Sequence, residues 1–203
     1  MSRNTAPRVK AMRAVGVDLP GLSRKSIERR PTPPGQHGLK KSHARKSDYG
    51  KQLIEKQKLR LNYGVTERQL RLALLAAKRS HEPTGAKLVE LLERRLDNVV
   101  FRAGLAPTIP AARQLISHRH IRINGRSVNI PSIRVRAGDL IAPREKSRER
   151  QAIVDALQNP PLLRPEWLAF DEAKREARVT HLPGQSDTPF PVEMQQVVEY
   201  YSR

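Results

Sequence analysis

No cysteine occurs among the 203 residues. Disulfides, thiolate zinc sites and thiol nucleophiles are therefore excluded, which fits a reducing cytosol. Aromatic residues make up only 4% of the chain, too few for a sheet that stacks bases on exposed rings. No apolar run approaches the roughly 20 residues of a transmembrane helix. Residues 1–16 are basic but lack the continuous apolar stretch of a signal peptide. The glycine-rich patterns that cradle phosphates in nucleotide-binding enzymes are missing too.

Acidic residues are outnumbered, with 39 Lys and Arg against 20 Asp and Glu, for a formal charge of +19. Such an excess calls for an acidic partner, and nucleic acid is the commonest. An anionic membrane is the rival, without a spanning segment to support it. The charge is uneven. Residues 1–46 hold 12 basic and 2 acidic side chains, net +10; residues 47–157 hold 22 and 11, net +11; residues 158–203 hold 5 and 7, net −2. The last segment suits a protein contact better than a phosphate backbone.

Residues 1–46 are rich in Arg, Lys, Pro and Gly. The run from Arg29 to Gly38 is interrupted by three prolines and two glycines and cannot be a helix. An extended basic arm that orders on its partner is expected. Ser47 can cap a helix carrying Tyr49, Leu53, Ile54, Gln57 and Leu61 and stopping near Gly64. Thr66 and Gln69 form a capping box for a second, with Leu70, Leu72, Leu74 and Leu75. A third starts near Ala86, and a fourth runs from about Leu96 to Arg102. Pro107 and Pro110 frame the start of a fifth. Asn124-Gly125 lies between Ile121/Ile123 and Val128/Ile130, which predicts a hairpin with a type I′ turn. An exit helix follows through Ile153, Val154 and Leu157, ended by Asn159-Pro160-Pro161. Short strands are expected at Trp167–Phe170 and Ala177–Val179, and an amphipathic end segment at Val192–Tyr201.

The fold class this implies is α+β. A helical domain is expected from two separated segments, 47–93 and 158–203, each too short for a secure core alone. Between them, residues 94–157 form an inserted RNA-binding domain of two helices plus a β-hairpin or small sheet.

The strongest functional signal lies in that insert. On the fifth helix Arg113 aligns with Ser117, and Gln114 with His118, one turn apart. Ala112, Leu115 and Ile116 supply the buried face. His120, Arg122, Asn124, Gly125 and Arg126 extend the polar set around the hairpin. Amides and hydroxyls among the cations suit sugars and base edges as well as phosphate, which points to shaped RNA. The bland alternative is an ordinary solvated face. Arg95-Leu96-Asp97 invites comparison with the catalytic Arg-Leu-Asp of pseudouridine synthases. However, no length remains for a catalytic domain, so Asp97 is expected to pair with an arginine or cap a helix. His118 and His120 lack a third ligand and are not expected to hold a metal.

Several motifs together resemble the bacterial-type family of small-subunit ribosomal protein S-four. They are Arg95-Leu96-Asp97-Asn98-Val99-Val100-Phe101-Arg102, Ala112-Arg113-Gln114-Leu115, His118-x-His120-Ile121, Val128-Asn129-Ile130-Pro131-Ser132 and Gly138-Asp139. Pro34-Gly35-Gln36-His37-Gly38, Glu55-Lys56-Gln57-Lys58-Leu59-Arg60 and the ending Val198-Glu199-Tyr200-Tyr201-Ser202-Arg203 extend the likeness over nearly the whole chain. The resemblance implies a non-enzymatic, cytoplasmic constituent of the small ribosomal subunit with no cofactor. It implies a primary binder of the subunit's RNA that nucleates assembly of the body. It further implies a part in decoding accuracy beside ribosomal proteins five and twelve, and a place near the path by which messenger RNA arrives. Some relatives hold zinc through N-terminal cysteines, a site this chain does not have. The RNA contacts so expected are Arg8, Arg30, Gln36, His37, Lys56, Lys58, Arg60, Arg68, Arg95, Asp97, Arg113, Gln114, Ser117, His118, His120, Arg122, Asn124, Gly125 and Arg126. The expected protein contacts are Glu199, Tyr200, Tyr201 and Arg203.

Overall fold

The computed structural model describes residues 6–43 and 45–202. The first five residues of the expected arm, Ala44 and the expected protein contact Arg203 lie outside the described residues. The helices are α1 (Arg8–Val15), α2 (Gly38–His43), α3 (Asp48–Asn62), α4 (Glu67–Lys78), α5 (Thr84–Glu93), α6 (Leu96–Arg102), α7 (Ile109–Ser117), α8 (Gln151–Gln158) and α9 (Met194–Tyr200). The strands are β1 (Ile121–Ile123), β2 (Arg126–Ser127), β3 (Leu140–Pro143), β4 (Leu168–Asp171) and β5 (Glu176–Val179). The chain is α+β and divides into two compact units, one of residues 1–88 with 188–203, the other of residues 89–187.

Local chemistry explains the element ends. Ser47 Oγ accepts from the Gly50 amide at 3.2 Å and starts α3. Thr66 and Gln69 make the reciprocal capping box of α4. Thr108 caps α7, with Pro110 in its first turn. Asn124 and Gly125 take φ of 48° and 78°, as a type I′ turn requires, and so join β1 to β2.

The first unit is helical, and α3 packs against both α1 and α9. Its buried side differs from the apolar stripe expected from spacing. The buried residues of α3 are Gln52, Glu55, Lys56, Lys58, Leu59 and Asn62, whereas Tyr49 is 51% exposed. Hydropathy cannot foresee this, because several of these polar groups find their partners far away in sequence. Gln52 donates to Glu199 at 3.0 Å, Glu55 accepts from the Glu193 amide at 3.0 Å, and Asn62 Oδ1 accepts from the Gly21 amide at 2.9 Å.

That last bond marks a second difference. The arm is not wholly extended: α1 and the turn after it bury Met12, Val15, Leu19 and Leu22. Four well-spaced apolar residues suffice once α3 offers a surface to cover. Residues 29–37 are non-helical, as their prolines and glycine dictate, but Gly38, the last residue of the run expected to be non-helical, begins α2 because no proline follows it there.

The second unit is built on one antiparallel sheet of order β2-β1-β3-β5-β4. Here the expected boundaries shift. Residues 158–187 belong with the insert rather than with the helical segments. The cause is backbone pairing: β5 pairs with β3 through Leu140–Arg178 and Ile141–Ala177, and β4 pairs with β5. The hairpin alone is too small to be stable, and the added strands widen it. Trp167, Phe101, Leu96, Leu105, Ile109 and Ile116 are its largest fully buried side chains.

Candidate nucleic-acid interface

The candidate site is organised by one buried carboxylate. Asp97 is fully buried at the start of α6. It accepts from Arg95 at 2.8 and 3.1 Å and from Arg113 Nε at 2.7 Å. Its Oδ1 also accepts from the Asn98 amide at 2.9 Å. Asp97 is thus an arginine anchor, which accounts for the Arg-Leu-Asp motif without catalysis. Two guanidiniums, one from the N-cap of α6 and one from α7, are held on the same carboxylate, and the Arg113 side chain is 25% exposed.

From there the polar residues follow α7 to its end. Ala112, Leu115, Ile116 and Ile109 are buried, so Gln114 and Ser117 face out. Both are exposed, as is His118 at the C-cap. The helix closes in a Schellman turn: the Arg119 amide donates to Ile116 and the His120 amide to Leu115, at 2.8 and 2.9 Å. The left-handed position of that turn is normally glycine. Here Arg119 occupies it, at φ 59°, at a cost of about 1 kcal/mol. Its exposed side chain makes no ion pair among the described residues. Sequence reasoning missed Arg119. The available signal was its place just after the last buried residue of α7, where a glycine is usual.

His120 is tied inward. Its Nδ1 lies 2.9 Å from Ser147 Oγ, and its Nε2 meets the Arg150 guanidinium. Burial, then the charges of Arg150, His118 and Arg144, push its pKa below the ordinary value of 6.5. The unfolded chain therefore protonates first as pH falls. Stability is full above about 6.5 and declines as pH drops toward the folded pKa. His120→Gln should abolish that slope, read as the difference in urea midpoint between pH 7.5 and 5.5. An unchanged slope would place the titrating group elsewhere.

The hairpin completes the set. Arg122 pairs with Glu145 at 3.1 Å. Asn124 is structural: its Oδ1 accepts from the Leu140 amide and its Nδ2 donates to Asp139, both at 2.9 Å. Gly125 serves the turn. Arg126 is exposed, and so are Arg134, Arg136 and Arg144, three cations the motif reading passed over because they lie outside regular helices.

In the other unit the expected contacts fare differently. Arg30, Gln36, His37 and Arg68 are exposed. Arg8 is exposed and reaches the Leu22 carbonyl, and Arg60 donates to Gln57 at 2.8 Å. Lys56 and Lys58 are removed from the surface. Lys58 pairs with Glu55 at 2.6 Å, and Lys56 pairs with Glu67 at 3.0 Å while lying over the Tyr200 ring. Both lysines are buried, so their charges are neutralised internally.

The expected protein-contact residues first serve the chain's own core. Tyr201 donates to Glu67 at 2.5 Å, and Tyr200 packs on Tyr49 with ring centroids 5.7 Å apart. Burial opposes ionisation of Glu67, but Tyr201 and Lys56 outweigh it and hold the carboxyl below its usual range. Burial and Glu67 together push the Tyr201 hydroxyl up.

Residues 94–141 match the family model described as S4 domain, and residues 3–93 that described as Ribosomal protein S4/S9 N-terminal domain. The chain is 61% identical over 202 residues to small ribosomal subunit protein uS4 of Methylobacillus flagellatus, covering 100% of this chain and 98% of the relative. It is 62% identical over 202 residues to small ribosomal subunit protein uS4B of Nitrosomonas europaea, with the same coverage. Identity to uS4 of Synechococcus sp. (strain JA-3-3Ab) is 48% over 204 residues, covering 100% and 99%.

Proposed function

Because the chain belongs to the uS4 family of small ribosomal subunit proteins, we propose that it binds the RNA of the small subunit directly, nucleates assembly of the subunit body and contributes to accurate decoding. Its role is structural rather than enzymatic. Its place of work is the cytoplasmic ribosome, beside ribosomal proteins five and, functionally, twelve, near the incoming messenger RNA. The outward edge of α9, with exposed Glu199, is the side proposed to meet a neighbouring protein.

The observation that carries the RNA reading is the face around Asp97. Arg95 and Arg113 are fixed by a buried carboxylate, Gln114, Ser117, His118 and Arg119 follow Arg113 along α7 and its end, exposed, and Arg126 is exposed on the hairpin. Fixed guanidiniums lose little entropy on meeting phosphate, and the amide and hydroxyls add sugar and base-edge contacts. Strain at Arg119 supports the same reading, since a costly backbone is retained where it presents a cation.

Filter binding to small-subunit RNA across a salt series tests it. Affinity should fall by roughly 0.7–0.9 log units per neutralised phosphate for each tenfold rise in salt. Arg119→Gly should weaken binding while leaving Tm unchanged or raised. A salt-independent response, or equal affinity for scrambled RNA of the same length, would defeat the proposal.

A further inference from the structure

The turn between β1 and β2 carries a chemically reactive pair. Asn124 is the one asparagine of the chain followed by glycine. The side-chain carbonyl of an asparagine can be attacked by the backbone nitrogen of the next residue, and glycine there has no side chain to block the approach. Both residues are exposed. The Gly125 N–H donates to nothing among the described residues, and a Cβ built on Gly125 would meet no atom within 4 Å. The attacking nitrogen is therefore open to solvent and to base.

The carboxamide, by contrast, is held. Its Oδ1 accepts from the Leu140 amide and its Nδ2 donates to Asp139 Oδ1, both at 2.9 Å. The Asn124 amide also donates to the Leu140 carbonyl at 2.8 Å. Asp139 is itself fixed: its Oδ2 accepts from the Arg136 amide at 2.7 Å, and its carbonyl accepts from the Val179 amide at 3.0 Å. These bonds draw the carboxamide toward residues 139 and 140, whereas ring closure needs it to swing onto the Gly125 nitrogen.

We infer that Asn124 is a self-modification site: the free protein deamidates there through a cyclic imide, at a rate set by the hold of Asp139, and the product loses RNA binding. Base removes the Gly125 amide proton, and the nitrogen attacks Asn124 Cγ. The Cγ–Nδ2 bond breaks, and Nδ2 leaves as ammonia with a proton taken from water. A second water opens the imide at either carbonyl and leaves aspartate or isoaspartate. No oxidant or metal takes part. Either product places a carboxylate where an NH2 group donated to Asp139, so two like charges face each other across a hydrogen-bond distance. Isoaspartate also lengthens the backbone by one carbon, which the type I′ turn cannot absorb. The new charge stands beside exposed Arg126 and repels phosphate. RNA laid on the hairpin covers the turn and stops the reaction, so conversion records the time that the protein spends unassembled. This consequence rests on the RNA-binding function proposed above, whereas the chemistry does not.

The test incubates the full chain at 37 °C and pH 8, free, bound to a transcript of small-subunit RNA, and unfolded in urea. Peptide mass mapping follows the exchange of NH2 for OH, and labelling by an isoaspartyl methyltransferase follows isoaspartate. In the free folded chain, product should gather at Asn124 ahead of every other asparagine, more slowly than in urea, and more slowly again on RNA. Asp139→Ala should speed the reaction by roughly 2–10-fold, the factor that one net hydrogen bond is worth. Asp139→Glu, whose carboxylate is displaced by a methylene, repeats that comparison with the charge kept, should circular dichroism show Asp139→Ala to be unfolded. Asn124→Asp, the first of the two products, should bind RNA about fivefold more weakly at 0.1 M salt. An Asn124 that stays intact in the free folded chain while the chain in urea converts would overturn the inference. So would a wild-type rate in both Asp139 variants, or wild-type affinity in Asn124→Asp and in the converted protein. Failure of the broader reading looks different: the wild-type chain would then bind RNA without salt dependence, while the mass change at Asn124 would still appear.

Discussion

Asp97→Ala should destabilise the second unit by about 3 kcal/mol and weaken RNA binding beyond what unfolding explains. Removing one partner of a buried ion pair typically costs about 3–5 kcal/mol, because the remaining charge is left without compensation. The lower end applies here. The Arg95 and Arg113 side chains are 11% and 25% exposed and can turn toward water. The Asn98 amide also loses its acceptor. The binding loss has a separate cause: two guanidiniums previously fixed become mobile, and their ordering must then be supplied by the RNA. Asp97→Asn keeps the shape and one acceptor, so it should fall between the wild type and Asp97→Ala on both measures. Urea unfolding and RNA titration at a temperature where every variant is folded would check this. Stability within about 0.5 kcal/mol of wild type, the usual range of a surface change, would show that Asp97 anchors nothing.

A larger effect is expected from the other end. Deleting residues 194–203 should unfold most of the first unit. The deletion exposes the surfaces covered by Met194 and Val197, which are 4% and 0% exposed. Each such side chain is worth about 1.5–3 kcal/mol. It also removes Glu199 from Gln52, Tyr200 from Lys56 and Tyr201 from Glu67. Buried polar groups of α3 would then lack partners, at about 1–3 kcal/mol each. The total is comparable with the about 5–15 kcal/mol that keeps a whole domain folded. Loss of helical circular dichroism and rapid proteolysis within residues 48–78 are the expected readouts. A truncated chain with an unchanged urea midpoint and a defect only in decoding would mean that α9 is merely an external contact segment.

The roles of Lys56, Lys58 and Arg119 have no marker in their own segments. Lys56 and Lys58 look like free cations in the run Glu55–Arg60 because nothing in that run says which side of α3 will be covered. Tertiary packing covers it with α9, about 140 residues away in sequence, and the lysines are neutralised there by Glu55 of α3 itself and by Glu67 of α4. Arg119 looks like one more cation between two histidines. Only backbone geometry reveals that it sits where a glycine would be easier. The apolar stripe of α3 was misplaced for the same reason as its lysines: spacing identifies a helix, but its buried side depends on what lies against it.

Local chemistry was readable wherever the deciding atoms are close in sequence. The Ser47 cap, the Thr66–Gln69 box, the turn at Asn124-Gly125 and the inward face Ala112, Leu115 and Ile116 each depend on residues within a few positions of one another. The α+β class and the outward polar set on α7 follow from such short-range rules. Tertiary structure alone decided the rest. It joined β4 and β5 to β3, folded α1 onto α3, closed α9 over buried charges and brought Arg113 of α7 to Asp97. In each case the stabilising partner is remote in sequence. A strand edge, a buried carboxylate or an apolar surface has no marker in the segment that will meet it, since the energy of the contact arises only when both sides are present.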